Sequence, residues 1–297
     1  MAGRSLKRQK TNRMIMLNKV KIAWAGKHFG EEPPLVGQRN DADPSTKLGA
    51  GGIFFSGCNL HCVFCQNWQI SQGGLGKEYS VAELAQIMLK LEKQGAINLD
   101  LVTPTIWWRL VKQAIKLAKD KGLKIPVAWN SNGYESVEII KQLAGLVDIY
   151  LPDFKYGDDE AAKKYSKIEN YPAVAKLALS EMLKQAGSLE IGADGLAKRG
   201  VIVRHLILPG NLENSFKALE IIKNIDKDLP VSLMRQYYPT HQASLYSEIN
   251  RPVNEQEFKK VFERMIKLGL ENGWTQEENC EKVMLPDFTK SEPFKIS

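Results

Sequence analysis

The chain predicts an α/β fold built as an open, partial (β/α)6 barrel, and three observations carry that prediction. Short apolar runs alternate with segments of helical periodicity from residue 53 onward, the pattern of a parallel sheet with right-handed crossovers. The count of such strands is six, too few for a closed eight-stranded barrel. Polar and cysteine-bearing turns follow the predicted strands, at the end where barrels of this kind bind ligands.

The elements follow in order. Val20 to Gly37 carries Trp24, His28, Phe29 and the turn-forming Glu31-Glu32-Pro33-Pro34, and is expected against the barrel wall. A Gly- and Pro-containing loop to Ala50 leads to the first strand, Ile53–Phe55, and then a cysteine loop. Ser80 and Glu83 form a capping box before a helix whose Val81, Leu84, Ala85 and Met88 share a face. Ala96 to Val102 is the second strand, stopped by Thr103-Pro104-Thr105. Trp107 and Trp108 open the next helix, expected to pack at the barrel end; its periodic residues are Leu110, Val111, Ala114, Ile115 and Ala118, and Gly122 ends it. Strand Ile125–Trp129, helix Ser136–Ala144 and strand Leu146–Leu151 continue the alternation. A mostly helical excursion spans Asp158 to Gly187, with a surface turn at Asp194–Lys198. Strand Val201–Leu208, a helix through Phe216, Leu219 and Ile222, and strand Val231–Met234 complete the wall. Asn254 and Glu257 cap a last helix that buries Phe258, Val261, Phe262, Met265 and Ile266. The residues after it are the ones expected to close the barrel's bottom or side.

The net charge of +7 concentrates at the start, where Arg4, Lys7, Arg8, Lys10, Arg13, Lys19 and Lys21 precede the first acid, Glu31. Residues 1–17 therefore read as a basic flexible arm, solvated rather than bound to nucleic acid, and 18–297 as a single domain with N- and C-terminal extensions. Apolar and charged fractions of 43% and 25% are those of a globular protein. No apolar run is long enough to span a membrane and no signal-peptide pattern follows the start. Few, clustered cysteines argue against a disulfide framework, so the cytoplasm is the expected compartment.

Three of the four cysteines, Cys58, Cys62 and Cys65, fall in one loop at spacing Cys-x3-Cys-x2-Cys, which points to a metal. Structural zinc and electron-transfer clusters take four protein ligands; three leave one position open to a small molecule. His61 could complete a Cys3His zinc site, but lies one residue from Cys62. Cys280 stands apart and reads as a buried thiol.

Cys58-x3-Cys62-x2-Cys65, with the aromatic Phe64 before the last cysteine, resembles the signature of the radical S-adenosylmethionine (SAM) superfamily. Gly-Ala-Gly-Gly-Ile-Phe-Phe-Ser-Gly-Cys and Cys-Val-Phe-Cys-Gln-Asn resemble the PflX-like relatives of pyruvate formate-lyase activating enzyme, over about Val20 to Phe288. The resemblance implies a [4Fe–4S] cluster on the three cysteines, SAM as cofactor, and a barrel of the radical SAM type. Within the cysteine loop, Phe64 and Asn67 join the cofactor-binding set. Asn130-Ser131-Asn132-Gly133 and Asp153-Phe154-Lys155 resemble turns that in that family flank SAM and a monovalent cation, with Asn130, Ser131 and Asp153 as cation ligands and Lys155 a nearby charge. Arg204 matches an arginine that meets SAM, and a charge in so apolar a strand needs a paired site; His205 alternates to the other face. His241 corresponds to a ribose-contacting histidine. Thr103 stands where most members carry the first residue of Gly-Gly-Glu, which receives the SAM amino group.

The implied activity is one-electron cleavage of SAM to a 5′-deoxyadenosyl radical, fed by an external one-electron donor, with hydrogen abstraction from a partner protein. The other readings are a small-molecule substrate, or a non-catalytic iron–sulfur or zinc module that binds nucleic acid through the arm.

Overall fold

The computed structural model describes residues 18–37, 48–276 and 285–294; the basic arm and Cys280 lie outside the described residues. In chain order the elements are β1 (Lys19–His28), α1 (Pro33–Val36), β2 (Ala50–Phe55), α2 (Trp68–Ser71), β3 (Lys77–Ser80), α3 (Val81–Lys93), β4 (Leu99–Val102) and α4 (Trp108–Asp120). β5 (Val127–Ser131), α5 (Val137–Gln142), β6 (Ile149–Pro152), α6 (Asp159–Ser166), α7 (Tyr171–Ala186), β7 (Glu190–Ile191) and β8 (Ala197–Val201) follow. The chain continues with β9 (Val203–Leu206), α8 (Leu212–Ile225), β10 (Val231–Met234), α9 (Glu255–Lys267) and β11 (Gly273–Thr275).

The wall is the predicted one. β2, β4, β5 and β6 pair in parallel in that order, and β8 adds to β6. Past Ile202 the chain becomes β9, which pairs in parallel with β10. A parallel bridge between Asp153 and Arg204 carries the wall from β6 to β9. Both capping boxes form, Ser80 with Glu83 and Asn254 with Glu257. α3 buries Leu84, Met88 and Leu91, each contributing about 1.5–3 kcal/mol.

The edges differ from expectation. Val20 to His28 does not lie against the wall but joins it: β1 runs antiparallel to β2, and β3 antiparallel to β1. Its Lys-Val-Lys-Ile start alternates polar and apolar residues with Val20 and Ile22 buried, the alternation of an antiparallel strand with one face on the core. On the far side β11 adds in parallel to β10.

Strand alternation divides the side chains between two faces. Ile53, Phe55, Leu99, Leu101, Val127 and Trp129 pack in the main core that includes the helices. On the inner face, Ala128, Ile149, Leu151 and Ile202 pack with Leu35 of α1, whose carbonyl accepts from Asn98 Nδ2 at 2.7 Å, just before β4. The segment before the first wall strand therefore closes this end of the barrel, with Trp274 of β11, after the last helix, packed against the same cluster. The C-terminal stretch covers the side: Phe288 and Phe294 pack with Phe54, Ile70, Val102 and Trp24.

Candidate active site

The cysteine loop begins where β2 ends, and backbone bonds fix its course. Gly57 N donates to Ile70 O at 3.0 Å, and His61 N and Val63 N donate to the carbonyls of Ser166 and Tyr165 at 3.2 and 2.8 Å. The loop is thus clamped to the end of α6. Cys58 and Cys65 are half-buried and Cys62 is buried, and each sulfur has a polar neighbour from a different element. Asn132 Nδ2 donates to Cys58 Sγ at 3.3 Å, Ser166 Oγ to Cys62 Sγ at 2.9 Å, and Ser71 Oγ lies 3.2 Å from Cys65 Sγ. Burial pushes the Cys62 thiol up to about 12, with Lys155 opposing that rise. His61 is exposed beside the buried Cys62. Among the described residues no three His, Cys, Asp or Glu side chains converge on a single-ion site.

Phe64 is buried 5.7 Å from the Tyr237 ring. The Asn67 carbonyl accepts from Ile70 N and Ser71 N and so starts α2. His241 holds a left-handed φ of 55° and stacks on Trp68 at 5.3 Å. The next residue, Gln242, donates its N–H to Val63 O.

The turns after β5 and β6 meet beside this loop. A Cβ on Gly133 would stand 2.1 Å from Asp153 O, and φ there is +76°, so only glycine permits the approach. Asn132 Nδ2 also donates to Asn59 Oδ1 at 2.6 Å, and Tyr171 OH ties the two turns by donating toward Asn132 O and Asp153 O. Alternation sends the three turn residues to different places. Asn130 donates into the barrel to Asp100 at 3.3 Å. Ser131 donates outward to Glu135 at 2.8 Å, a buried carboxyl that also accepts from Thr105 and Trp129. Burial outweighs these donors and raises the Glu135 carboxyl above its ordinary value. Thr103 occupies the left-handed region at φ 59°, unusual for a β-branched residue, while its N–H donates to Asn130 O.

Inside the barrel runs a ladder of charges. Lys155 Nζ lies 2.6 Å from Asp153, Arg204 Nε 3.3 Å from Asp153, Arg204 Nη1 2.6 Å from Glu31, and His28 Nε2 3.4 Å from Glu31. Burial alone would raise the Asp153 carboxyl, but Lys155 and Arg204 hold it below the usual range. Burial likewise opposes ionisation of Glu31, and Arg204 with His28 outweighs it, bringing Glu31 down to about 2. Burial dominates at Glu32 and Asp100, which are raised, Asp100 well above its ordinary value. Burial disfavours the Lys155 ammonium, yet Asp153 and then Cys62 more than compensate. His205 faces the other way, bonded to Phe154 O at 2.7 Å, and burial lowers it to about 4.

The structure therefore brings Asn132, Asp153, Lys155 and Arg204 together with the cysteine loop and turns Ser131 outward. Sequence reasoning missed His28, Glu31, Asp100 and Ser166. Glu31-Glu32 read as turn residues, and nothing local marks a glutamate that crosses the barrel. Asp100 did carry a signal, an acid within an apolar strand.

An open parallel barrel with three thiols on the loop after its first wall strand defines a metal-cluster enzyme class, and the comparisons give the family. The model of the radical SAM superfamily matches residues 53–217. The chain belongs to the radical SAM superfamily. An uncharacterized protein of Methanocaldococcus jannaschii is 35% identical over 257 residues, covering 82% of this chain and 66% of that one; this chain thus spans just under two thirds of that relative's length. The pyruvate formate-lyase-activating enzyme of Clostridium pasteurianum is 26% identical over 235 residues, covering 74% of this chain and 90% of that one. Among solved structures, Streptococcus suis SuiB bound to S-adenosylmethionine aligns with a TM-score of 0.49 at 12% identity, over 74% of this chain and 45% of that one. Membership implies a [4Fe–4S] cluster and SAM and makes the chain an enzyme of radical chemistry. The residues fit the cluster: the donor set is three thiols on one loop, each beside an N–H or O–H group able to donate to sulfur. No helix among the described residues is long and apolar enough to cross a membrane.

Proposed function

We propose that Cys58, Cys62 and Cys65 hold a [4Fe–4S] cluster whose open iron takes SAM, and that the enzyme abstracts hydrogen from a residue of a partner protein. The observation that supports the site is the contact between Asn132, at the end of β5, and Cys58 at 3.3 Å, which joins one strand-end polar residue to one of the thiols. When bound, the cluster and SAM supply one-electron cleavage to a 5′-deoxyadenosyl radical. Phe64, Asn67, Thr103, Asn130 and His241 complete the proposed SAM surroundings, and Lys155 and Arg204 supply positive charge for its carboxylate. Arg204 already spends Nε and Nη1 on Asp153 and Glu31, leaving Nη2 as its free edge among the described residues. A monovalent cation at Asp153 would have to displace Lys155 and Arg204, and Ser131 is turned away toward Glu135.

The activating-enzyme relative supports a protein substrate and an external electron donor. Phe288 and Phe294 favour a second reading, a small-molecule substrate, because they cover Phe54 and Val102 at the barrel's side. Incubating reduced, cluster-loaded protein and SAM with size-separated cell extract distinguishes them. Stimulation of 5′-deoxyadenosine release by the macromolecular fraction is the expected result; stimulation confined to small molecules overturns the protein substrate.

A further inference from the structure

Of the three loop cysteines, Cys62 is the most deeply placed, at 7% exposure, and its sulfur has the closest oxygen neighbour. That neighbour, Ser166, is the last residue of α6, and the chain turns immediately after it through Lys167 at φ 57°. The loop's own backbone grips this helix end on both sides of Cys62, through His61 N to Ser166 O and Val63 N to Tyr165 O. Ser166 Oγ is thereby fixed 2.9 Å from Cys62 Sγ. Behind it stands Tyr156, fully buried, with its hydroxyl 2.5 Å from Ser166 Oγ and its ring edge-on to Tyr171 at 5.2 Å.

A thiolate that ligates iron can only accept, so the one Ser166 proton is directed at sulfur and the Tyr156 proton at the Ser166 oxygen. The result is a polarised chain, Tyr156 to Ser166 to Cys62, in a dry environment that strengthens both bonds. Hydrogen bonds to cluster sulfurs stabilise the electron-rich state and set the reduction potential. We propose that Ser166, backed by Tyr156, is a positioning residue that raises the reduction potential of the cluster held by Cys62; this rests on the cluster assignment above. The step it serves takes one electron from an external low-potential reductant into the cluster, with no proton transferred and both hydroxyls unchanged. The corresponding neighbours of Cys58 and Cys65 are longer, at 3.3 and 3.2 Å, and those sulfurs are less enclosed.

The test is an anaerobic potentiometric titration of reconstituted protein with titanium(III) citrate and mediator dyes, following the reduced-cluster EPR signal. Ser166→Ala, with wild-type iron content, should show a reduced-to-oxidised ratio about tenfold lower at fixed potential, a shift of ~59 mV for one electron. Tyr156→Phe should move the same way by a smaller factor, and Ser166→Thr should return toward wild type. Titration of Ser166→Ala within about twofold of wild type overturns the proposal. If Ser166→Ala fails to retain iron, Tyr156→Phe decides: a shift supports the relay and an unshifted curve sinks it. A wild-type protein that forms no [4Fe–4S] cluster instead overturns the cofactor assignment, and the relay with it.

Discussion

The rim and the floor of this barrel handle polarity in opposite ways. At the rim, neutral polar groups, Asn132, Ser166 and Ser71, lie against the sulfur atoms, and burial of the Cys62 thiol outweighs the opposing charge of Lys155. From Asp153 at the strand ends toward the floor, formal charges meet formal charges: Lys155 with Asp153, Asp153 with Arg204, Arg204 with Glu31. The rim is therefore arranged around a group that brings positive charge, whereas the charge network ties the segment before α1 to the wall. Function should depend on both, through Lys155 and Arg204 in the second, and folding mainly on the second.

The largest effect expected is at the rim. Replacing Cys58, Cys62 or Cys65 by Ala should abolish iron binding and SAM cleavage, measured by iron content and 5′-deoxyadenosine yield, while urea midpoints of the apo proteins move little. Cys280→Ala should change neither iron content nor cleavage.

Arg204→Met breaks the comparison from the other side. It leaves Glu31 with His28 alone and Asp153 with Lys155 alone, and removing one partner of a buried pair costs about 3–5 kcal/mol. Urea unfolding of the apo protein should show this loss; a loss below about 1 kcal/mol would mean the ladder does not hold the floor.

Smaller and opposite in sign is Asp100→Asn. Asp100 keeps its proton in the folded state well above its ordinary value, whereas the unfolded chain releases it, so its ionisation favours unfolding as pH rises above the unfolded value. The amide removes that penalty, and stability at neutral pH should rise. Glu31 has the reverse sign. Lowered to about 2 by Arg204 against burial, it contributes stability present above its unfolded value near 4.5 and lost as pH falls toward about 2. Glu31→Gln should flatten that acid limb in thermal melts, and an unchanged acid limb would contradict the pairing.

Thr103→Gly should have the smallest effect, a gain within about 1 kcal/mol, because it relieves a β-branched residue at φ 59° at the cost of extra unfolded-state freedom. A loss of stability would show that the Thr103 side chain packs better than its backbone suggests.

Much of this was legible from the residues because alternation and caps are local. The six wall strands, the capping boxes at Ser80 and Asn254, the opposite faces of Arg204 and His205, and the cysteine loop all follow from short-range pattern. β1 was missed because a strand of alternating polarity lacks a continuous apolar run, and β11 because it is three residues long. The floor was legible only in part, since Leu35 reveals its role only when Ala128, Ile149 and Ile202 surround it. Glu31 and Ser166 were invisible for the same reason: their partners lie 173 and 104 residues away.

EPR of the anaerobically reconstituted, reduced protein, recorded with and without SAM, tests most directly whether three cysteines hold an open cluster. The account predicts a [4Fe–4S] signal that changes shape when SAM is added and that disappears in Cys62→Ala. A signal indifferent to SAM, or bound zinc in place of iron, would contradict it.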